Sequence, residues 1–397
     1  MLPTCYQKVL RAHLSESQYL TLQLLILLLQ SHRQIQLARL ASMFPQPIHY
    51  SSRIRNLQRF LVLPQLSVRL LWFPILKHWL SEEFKTGHGN RAYRRARLKR
   101  TIDGYVVMAV DRTQWKGRNL MMVTVVWGKH ALPVYWAPLP KSGSSSLKQQ
   151  LRLLKTALKI FKPYPVVVLA DRDFHSPKLA LWLSQRQVEF VLRQKKSAYV
   201  QLQGEVDYQP LKERGFAPGQ KGFLCDVYWG KRDQLGPFNL AFYWKRQYRG
   251  KGGKDPWFIM TSLPTLEQAL SLYACRWGIE MMFKDCKSGG YNLERTKVND
   301  ARFLALVLVM AMAYCLATLA GYGLKKLKVN HYVARLNEHS RRRPRHSDFG
   351  TALYGHLWCC GMEVWTLLAT ELMQLKPHKR LNYQRGMRAL SLIQTTL

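Results

Sequence analysis

Two short apolar runs that each end in an aspartate decide the fold prediction: residues 106–111 read VVMAVD, and residues 166–171 read VVVLAD. Runs of β-branched and aliphatic residues of this length are typical of buried strands. A strand terminus holds a side chain in a fixed position, and Mg²⁺ prefers carboxylate oxygens while it keeps several of its waters. We therefore predict that Asp111 and Asp171 are metal ligands. From its position alone, Asp111 is equally compatible with capping a turn.

The residues around these runs predict an α/β fold. Residues 101–194 alternate segments of strand and helix period in the order β-β-β-α-β-α-β, which is typical of a ribonuclease-H-like mixed sheet with flanking helices. Residues 195–256 are rich in Gly, Tyr and Trp and are interpreted as a β-rich insertion. A strand at 257–261, followed by one long helix that starts at residue 266, begins the rest of the core, which we place at 257–324.

Residues 1–100 are predicted to form an all-helical domain that includes a basic linker, because apolar residues recur three and four positions apart as far as residue 85. Ser51 and Ser52 are suited to begin one of its helices. The arginines on that helix are Arg53, Arg55 and Arg59. A helix, a turn and a basic helix form the outline of a DNA reader, although a solvated basic face gives the same pattern.

Two further stretches are strongly basic. The linker at 85–100 contains Arg91, Arg94, Arg95, Arg97, Lys99 and Arg100. We predict that it follows DNA phosphates, the alternative being a solvated face. The C-terminal region at 325–397 is interpreted as basic and irregular, with its densest patch, RRRPR, at 341–345.

The charge balance of the whole chain indicates a polyanionic partner. Its 397 residues include 61 Lys and Arg against 23 Asp and Glu, for a net charge of +38. A surface this positive repels itself unless a polyanion neutralises it, and lysine and arginine release condensed counterions when they bind nucleic-acid phosphates. Nucleic acid is therefore the predicted partner. Charge alone is also compatible with a ribosomal-type or merely basic protein.

Cysteine usage and hydropathy predict a cytoplasmic protein. The seven cysteines are scattered without a C-x-x-C pair, which favours a reducing compartment and no structural zinc. The N-terminus lacks the basic-then-apolar pattern of a signal peptide. Residues 303–324 carry no charge and are long enough to span a bilayer. We interpret them as a buried core helix and predict no membrane partner, because the segment is rich in small residues and stands alone.

A stripe of functional groups on the long predicted helix supplies the rest of the site. Tyr273, Arg276, Glu280 and Lys287 share one face of a straight helix, with Lys284 beside them. On that face Glu280 can complete a metal site, while the cations bind backbone phosphates and the Tyr273 hydroxyl donates to a phosphate oxygen. Spacing alone favours a surface helix with i, i+4 ion pairs such as Arg276–Glu280.

The order and spacing of these residues resemble a known signature. The pattern Tyr-x2-Arg-x3-Glu-x6-Lys at 273–287 is similar to the Y-R-E-K signature of the DDE transposases of bacterial insertion sequences, of the insertion-sequence "four" type. The sequence DRT at 111–113 resembles the first aspartate motif of that family, and DRDF at 171–174 resembles the second. Relatives often have Glu where this chain has Asp173, so residue 173 is not predicted as a fixed ligand. The resemblance covers residues 101–320.

This resemblance implies a cut-and-paste DNA transposase in which Asp111, Asp171 and Glu280 are the catalytic carboxylates. Two Mg²⁺ or Mn²⁺ ions held by them would activate the attacking oxygen and stabilise the leaving one. The implied partners are double-stranded DNA, both the terminal repeats of the mobile element and the target DNA, and a second copy of the chain in a homodimer on DNA. The implied location is the prokaryotic nucleoid.

The resemblance also implies that a freed 3′ hydroxyl attacks the opposite strand and forms a DNA hairpin. Such a hairpin needs a base extruded from the stack, which an aromatic side chain can hold. Trp257 matches the stacking tryptophan of the family, with Trp229 and Trp244 as rivals in the same region.

Two alternatives remain open at the level of sequence. A ribonuclease-H-like nuclease without strand transfer shares the three carboxylates but does not need the remaining signature residues or the long insertion. A non-catalytic DNA-binding protein derived from a decayed transposase needs none of the carboxylates, and all three are intact here.

Overall fold

The computed structural model describes residues 2–83, 101–115, 117–140, 143–246, 255–335 and 345–397. The chain forms two compact units, Met1–His78 with Phe283–Leu397, and Trp79–Met282. The predicted phosphate-following linker at 85–100 lies outside the described residues, as does all but the last residue of the RRRPR patch.

Helices account for most of the first unit, and the second unit has helices of its own beside its sheet. In chain order they are α1 Thr4–His13, α2 Glu16–His32, α3 Leu37–Met43, α4 Tyr50–Phe60, α5 Phe73–Glu83, α6 Leu147–Phe161, α7 Pro177–Ser184, α8 Leu266–Cys275, α9 Trp277–Cys286, α10 Asp300–Lys326, α11 Asp348–Val364, α12 Thr366–Gln374 and α13 Arg380–Thr396. Residues 2–83 are mainly helical, as predicted.

The second unit is built on one mixed sheet. Its strands are β1 Val106–Trp115, β2 Arg118–Trp127, β3 His130–Leu139, β4 Val166–Ala170, β5 Glu189–Arg193, β6 Tyr199–Gln201, β7 Gln209–Pro210, β8 Lys221–Trp229, β9 Leu235–Tyr243 and β10 Trp257–Thr261. Across the sheet they run β3-β2-β1-β4-β5-β10-β9-β8-β6-β7. β1, β4 and β5 are parallel neighbours, whereas β2 and β10 pair antiparallel with β1 and β5. The predicted α/β class with a mixed sheet is confirmed.

The strands between β5 and β10 continue this sheet. β9 pairs antiparallel with β10 along its length, from Trp257 opposite Tyr243 to Thr261 opposite Asn239. β8 then pairs with β9, and β6 with β8. The β-rich segment predicted as an insertion therefore belongs to the same sheet as β1 and β4.

Helix α6 shows how local sequence starts the flanking layer. Ser146 and Gln149 form a capping box, in which each side chain accepts a hydrogen bond from the backbone amide of the other residue. The buried side of α6, which includes Leu153 and Phe161, faces β2 and β3, and α7 packs against β5 and β9. Helices thus cover the sheet close to both aspartate-bearing strands.

The first unit is organised around α10. Among the described residues, α10 is the one helix long and apolar enough to cross a membrane, and 78% of its most apolar window is buried inside the protein. It packs against α2 and α11, and the ring of Tyr314 on α10 lies 4.9 Å from that of Phe349 on α11. This burial is what the sequence predicted for a core helix.

The helical N-terminal region departs from the prediction in its capping. α4 begins at Tyr50, so Ser51 and Ser52 lie inside its first turn instead of capping it. α3 and α4 pack against each other. Arg55 and Arg59 on α4 are exposed.

Arg53 has a structural role that its sequence position did not indicate. Its Nη1 donates to the carbonyl oxygens of Ser42, at 3.3 Å, and Phe44, at 3.1 Å. Backbone carbonyls at a helix end lack partners within the helix, so Arg53 satisfies two groups at the end of α3 and fixes α4 beside it.

The region from residue 345 onward is regular and helical, so the expectation of irregular structure was wrong there. α11 buries Phe349, Ala352, Leu353, His356 and Cys359, which recur at three- and four-residue spacing. These residues pack α11 against α10 and α2. The helical period of these residues is present in the sequence beside the basic patch at 341–345.

Two glycines give a matched test of this packing. A Cβ added to Gly321 on α10 would lie 1.8 Å from the Asp348 carbonyl oxygen, whereas one added to Gly361 on α11 meets nothing within 4 Å. We expect Gly321→Ala to lower the free energy of unfolding by about 1–3 kcal/mol, because the two helices must separate. Gly361→Ala should raise it by up to about 1 kcal/mol, because alanine is the better helix former. Urea denaturation measures both, and effects of the same sign would contradict the packing described.

Candidate active site

Asp111 on β1 and Asp171 directly after β4 lie side by side, where the parallel pairing of these two strands ends. In the parallel pairing of β1 with β4, Val110 is opposite Ala170, so the two aspartates occupy the next row. Neighbouring strands are about 4.8 Å apart. Asp111 lies inside β1, so it does not cap a turn, and its Oδ1 accepts a hydrogen bond of 2.7 Å from the Arg112 amide. Both carboxylates are thus oriented by the chain itself, because the Asp171 Oδ1 likewise accepts from the next amide.

Arg276 brings the third carboxylate to this edge. Its Nη1 lies 2.9 Å from Asp111 Oδ2, and its Nη2 donates to Glu280 Oε1. One guanidinium therefore bridges two acidic residues from distant parts of the chain. The i, i+4 ion pair between Arg276 and Glu280 that spacing alone favoured is present. It does not lie on a surface helix face, because Arg276 also binds Asp111 and its side chain is only 11% exposed.

Arg276 occupies a break in the predicted helix. The sequence predicted one straight helix from residue 266 to beyond Glu280, whereas α8 ends at Cys275 and α9 begins at Trp277. At the break the Arg276 amide bonds to the Tyr273 carbonyl, at 3.1 Å, and the Ile279 amide bonds to the Arg276 carbonyl, at 3.1 Å. These three-residue hydrogen bonds tighten the backbone locally, so the signature residues do not lie on one straight face.

Three carboxylates surround Arg276 in a largely buried site. Burial raises the pKa of Asp111 to about 6, and the charges of Asp171 and Glu280 act in the same direction. Arg276 and the Arg112 amide oppose this shift. For Arg276, burial disfavours the charged form, but Tyr273 and the three carboxylates outweigh it and raise its pKa. One guanidinium does not balance three carboxylates, so the site favours further positive charge.

The chemistry of the donors suits a hard divalent cation. Carboxylate oxygens are the ligands that Mg²⁺ and Mn²⁺ take, and among the described residues nothing donates a hydrogen bond to Asp171 Oδ2. Within the same described ranges, no group of three or more His, Cys, Asp and Glu side chains is arranged closely enough to hold a metal ion. Arg276 is the cation between Asp111 and Glu280 in this structure.

The family model described as transposase DDE domain matches residues 89–316 of this chain. The chain belongs to that family. A comparison with curated proteins gave no match. Among solved structures, the fold is similar to that of the piggyBac transposase in a cryo-EM synaptic complex with hairpin DNA, with 12% sequence identity and a TM-score of 0.43 over 91% of this chain and 78% of that one.

Family membership identifies the protein as a DNA transposase, which agrees with the coarser part of the sequence-based interpretation. Transposases of this family transfer phosphoryl groups on DNA with the help of divalent metal ions. The family match by itself does not assign the insertion-sequence type, the hairpin route or the roles of individual residues.

Two aromatic residues of the transposase lie next to the acidic cluster. Tyr273 is 4% exposed. The ring of Trp257 contacts it edge-on, with the centroids 4.8 Å apart, and Trp257 itself is partly exposed. Trp229 is 1% exposed and belongs to the core, which argues against it as a stacking residue, whereas Trp244 is partly exposed.

The two predicted lysines of the signature have different surroundings. Lys284 is on the exposed side of α9. Lys287 follows the last residue of α9, and its Nζ lies 3.6 Å from Glu294 Oε1. Both belong to the first unit, which begins its second segment at Phe283.

Three residues near the site had no predicted role. Arg112 binds Asp173 with an Nη2–Oδ2 distance of 2.8 Å, which gives Asp173 a structural partner. Trp277 follows Arg276 directly and is 62% exposed. Arg193 ends β5 and follows Leu192, which is paired with Ala170, the residue before Asp171. The signal for Arg193 was available, because EFVLR at 189–193 is a third apolar run that ends in a charged residue.

The bridge made by Arg276 can be tested through stability. We expect Arg276→Gln to lower the free energy of unfolding in EDTA by about 3 kcal/mol, because a partly buried ion pair loses its cation and leaves the carboxylates unbalanced. Mg²⁺ or Mn²⁺ should restore more stability to this variant than to the parent protein. Lys178→Gln is the control, since it removes an exposed pair with Asp233 that contributes less than about 1 kcal/mol. Equal losses in the two variants would contradict the bridge.

Proposed function

We propose that this transposase cuts DNA at the ends of a mobile element and joins the ends to target DNA, with Asp111, Asp171 and Glu280 as the ligands of two Mg²⁺ or Mn²⁺ ions. The observation that carries the proposal is the buried guanidinium of Arg276, which binds Asp111 and Glu280 in the neighbourhood of Asp171. The carboxylates around this guanidinium come from three separate segments. The site is therefore suited to bind divalent ions beside Arg276 or in its place.

The bound ions would supply an activated oxygen nucleophile and stabilise the leaving oxygen of the phosphodiester. The protein groups hold the geometry for this step. The sheet fixes the backbones of Asp111 and Asp171, and the amides of the residues that follow them orient the two carboxylates. Arg276 keeps Glu280 turned toward Asp111 and prevents the carboxylates from repelling one another before ions and DNA bind.

DNA binding is supported by the net charge of +38 and by exposed arginines on α4. Arg55 and Arg59 are the residues of that helix suited to phosphate contacts, whereas Arg53 is engaged with the end of α3. Because each transposition event pairs two ends of the element, the acting form is proposed to be a homodimer on DNA, in the cytoplasm at the nucleoid.

The finer route is cut-and-paste transposition of the insertion-sequence "four" type, through hairpin ends. The signature residues Tyr273, Arg276, Glu280 and Lys287 support this type. Trp257 is the proposed stacking residue for the extruded base, because it is partly exposed and packs on Tyr273 beside the acidic cluster.

Products on DNA distinguish this function from its alternatives. The full-length protein with Mn²⁺ should cut a linear duplex that carries the terminal repeats flanking its own gene, and it should leave hairpinned ends on a denaturing gel. Open nicks without hairpins or strand transfer would indicate a nuclease instead. Binding without any cleavage would indicate a non-catalytic DNA-binding protein.

The third ligand is tested by a charge-neutral substitution. We expect Glu280→Gln to reduce the single-turnover cleavage rate about 10³-fold, because metal ions contribute several kcal/mol to transition-state stabilisation. Affinity for the same duplex without metal should change less than about twofold, since the variant removes no cation. The control is Glu267→Gln, an exposed glutamate at the start of α8 that carries the same charge change. Comparable cleavage by both variants would rule out Glu280 as a ligand.

A further inference from the structure

Helix α12 is an apolar helix that the described part of the chain leaves uncovered. None of its residues, Thr366–Gln374, is buried, although helices of globular proteins normally bury their apolar side chains. Six large apolar side chains on this helix and at its two ends are each between 59% and 80% exposed, namely Val364, Trp365, Leu367, Leu368, Leu372 and Leu375. We refer to these six side chains as the α12 apolar surface.

The leucines of this surface point away from the rest of the protein. At about 100° per residue, the four of them lie within an arc of about 140° around the helix. Ala369 and Met373 lie on the opposite side and are partly buried, because α12 packs against α11 and the turn at Pro377–Lys379. The helix is therefore attached to the protein by its less apolar side, and its leucine-rich side faces outward.

The α12 apolar surface is large enough to form an interface. If each side chain contributes about 100 Å² of apolar area, the surface offers on the order of 600 Å² per copy of the chain. The largest apolar patch on a typical monomer is about 300–600 Å². A standard interface takes about 800 Å² from each partner, of which about 65% is apolar in homodimers. The available apolar area thus meets the requirement of a stable dimer.

The charge of this surface suits a second copy of the same chain. Two copies, each with a net charge of +38, repel one another wherever basic surfaces meet. Residues 364–375 contain no Lys or Arg, and Glu371 is their one charged residue. The exposed cations Lys376, Lys379 and Arg380 follow directly. Because a two-fold interface brings the same patch from both copies together, Glu371 of each copy can pair with a cation of the other.

The surface fits other partners less well. DNA is bound through cations and hydrogen-bond donors that contact its phosphates, and the six apolar side chains provide neither. Helices that lie on an anionic lipid surface have Lys and Arg along their polar face. The polar positions of α12 are instead Thr366, Thr370 and Gln374, and Glu371 lies among the leucines.

We propose that the α12 apolar surface binds the same surface of a second copy, so that the chain is a dimer before it meets DNA. The proposal rests on the proposed function for its biological role, because that function pairs two element ends in one complex. The association itself is independent of DNA and of metal ions, and it is measured without them.

The test is the self-association of the full-length protein in EDTA without DNA, measured by sedimentation equilibrium. We expect the parent protein to be mainly a dimer at about 10 µM chain, since interfaces of this size bind in the micromolar range or more tightly. Leu372→Glu should weaken the dimer at least about 30-fold, because it places a carboxylate from each copy in an apolar interface. Raising NaCl from about 0.1 to 0.5 M should strengthen the parent dimer, because salt screens the repulsion between the two copies.

A matched variant controls for the change of charge. Val206→Glu introduces the same charge at an exposed residue between β6 and β7, so its dimer should be as stable as that of the parent. Circular dichroism checks that each variant keeps its helices. If Leu372→Glu does not fold, Leu367→Glu replaces it, because Leu367 is the most exposed of the six side chains.

Several results would overturn the proposal. The first is a parent protein that is monomeric under these conditions, and the second is a dimer that Leu372→Glu and Val206→Glu affect equally. Weakening of the dimer by salt would indicate an interface of ion pairs elsewhere on the protein. A monomeric parent that floats with phosphatidylglycerol vesicles, together with a Leu372→Glu variant that does not, would identify lipid as the occupant. A protein that dimerises as described but cuts no terminal-repeat duplex would contradict the proposed function and leave the dimer surface supported.

Discussion

The ion bridge from Arg276 to Asp111 and Glu280 is the interaction on which the site depends. Three carboxylates in a partly dehydrated setting repel one another and resist ionisation. A guanidinium in their midst lets the protein fold with the acidic groups already assembled, before any metal or DNA arrives. The break between α8 and α9 follows from the same requirement, because the arginine leaves the straight helical path just where it meets the sheet.

The register of three parallel strands sets the positions of the other groups. A slip of one residue between β1 and β4 would turn an aspartate to the opposite face of the sheet. The fully buried strand interiors, such as Val166–Ala170, prevent such slips because they fit only one packing arrangement. The positions of the aspartates are thus fixed by apolar contacts in the middle of the sheet.

Much of this arrangement was predictable from sequence. Apolar runs that end in Asp111 and Asp171 gave the strands, and the helix α6 between β3 and β4 supplies the crossover that parallel pairing needs. Residues 303–324 of α10 gave a core helix because they are uncharged and rich in small side chains. What periodicity did not give was the break at Arg276, since a straight helix and a broken one share the same spacing.

Tertiary contacts decided the remaining features. Arg53 looked like a surface residue of a basic helix, yet it binds carbonyl oxygens of the preceding segment. Trp229 and Trp257 are alike in sequence texture, but one is enclosed in the core and the other is not. The sequence pattern did not single out Arg193, because the residues beside it on adjacent strands are distant from it in the chain.

The continuity of the sheet through β8, β9 and β10 has a consequence for how the protein responds to load. β10 is held on one side by β9 and on the other by β5, where Ile259 is opposite Arg193. A pull on β9 is transmitted through two hydrogen-bond ladders, β9–β10 and β10–β5, to the strand that ends in Arg193. The outer strands β8 and β9 are therefore joined by continuous hydrogen bonding to the strands beside the acidic cluster.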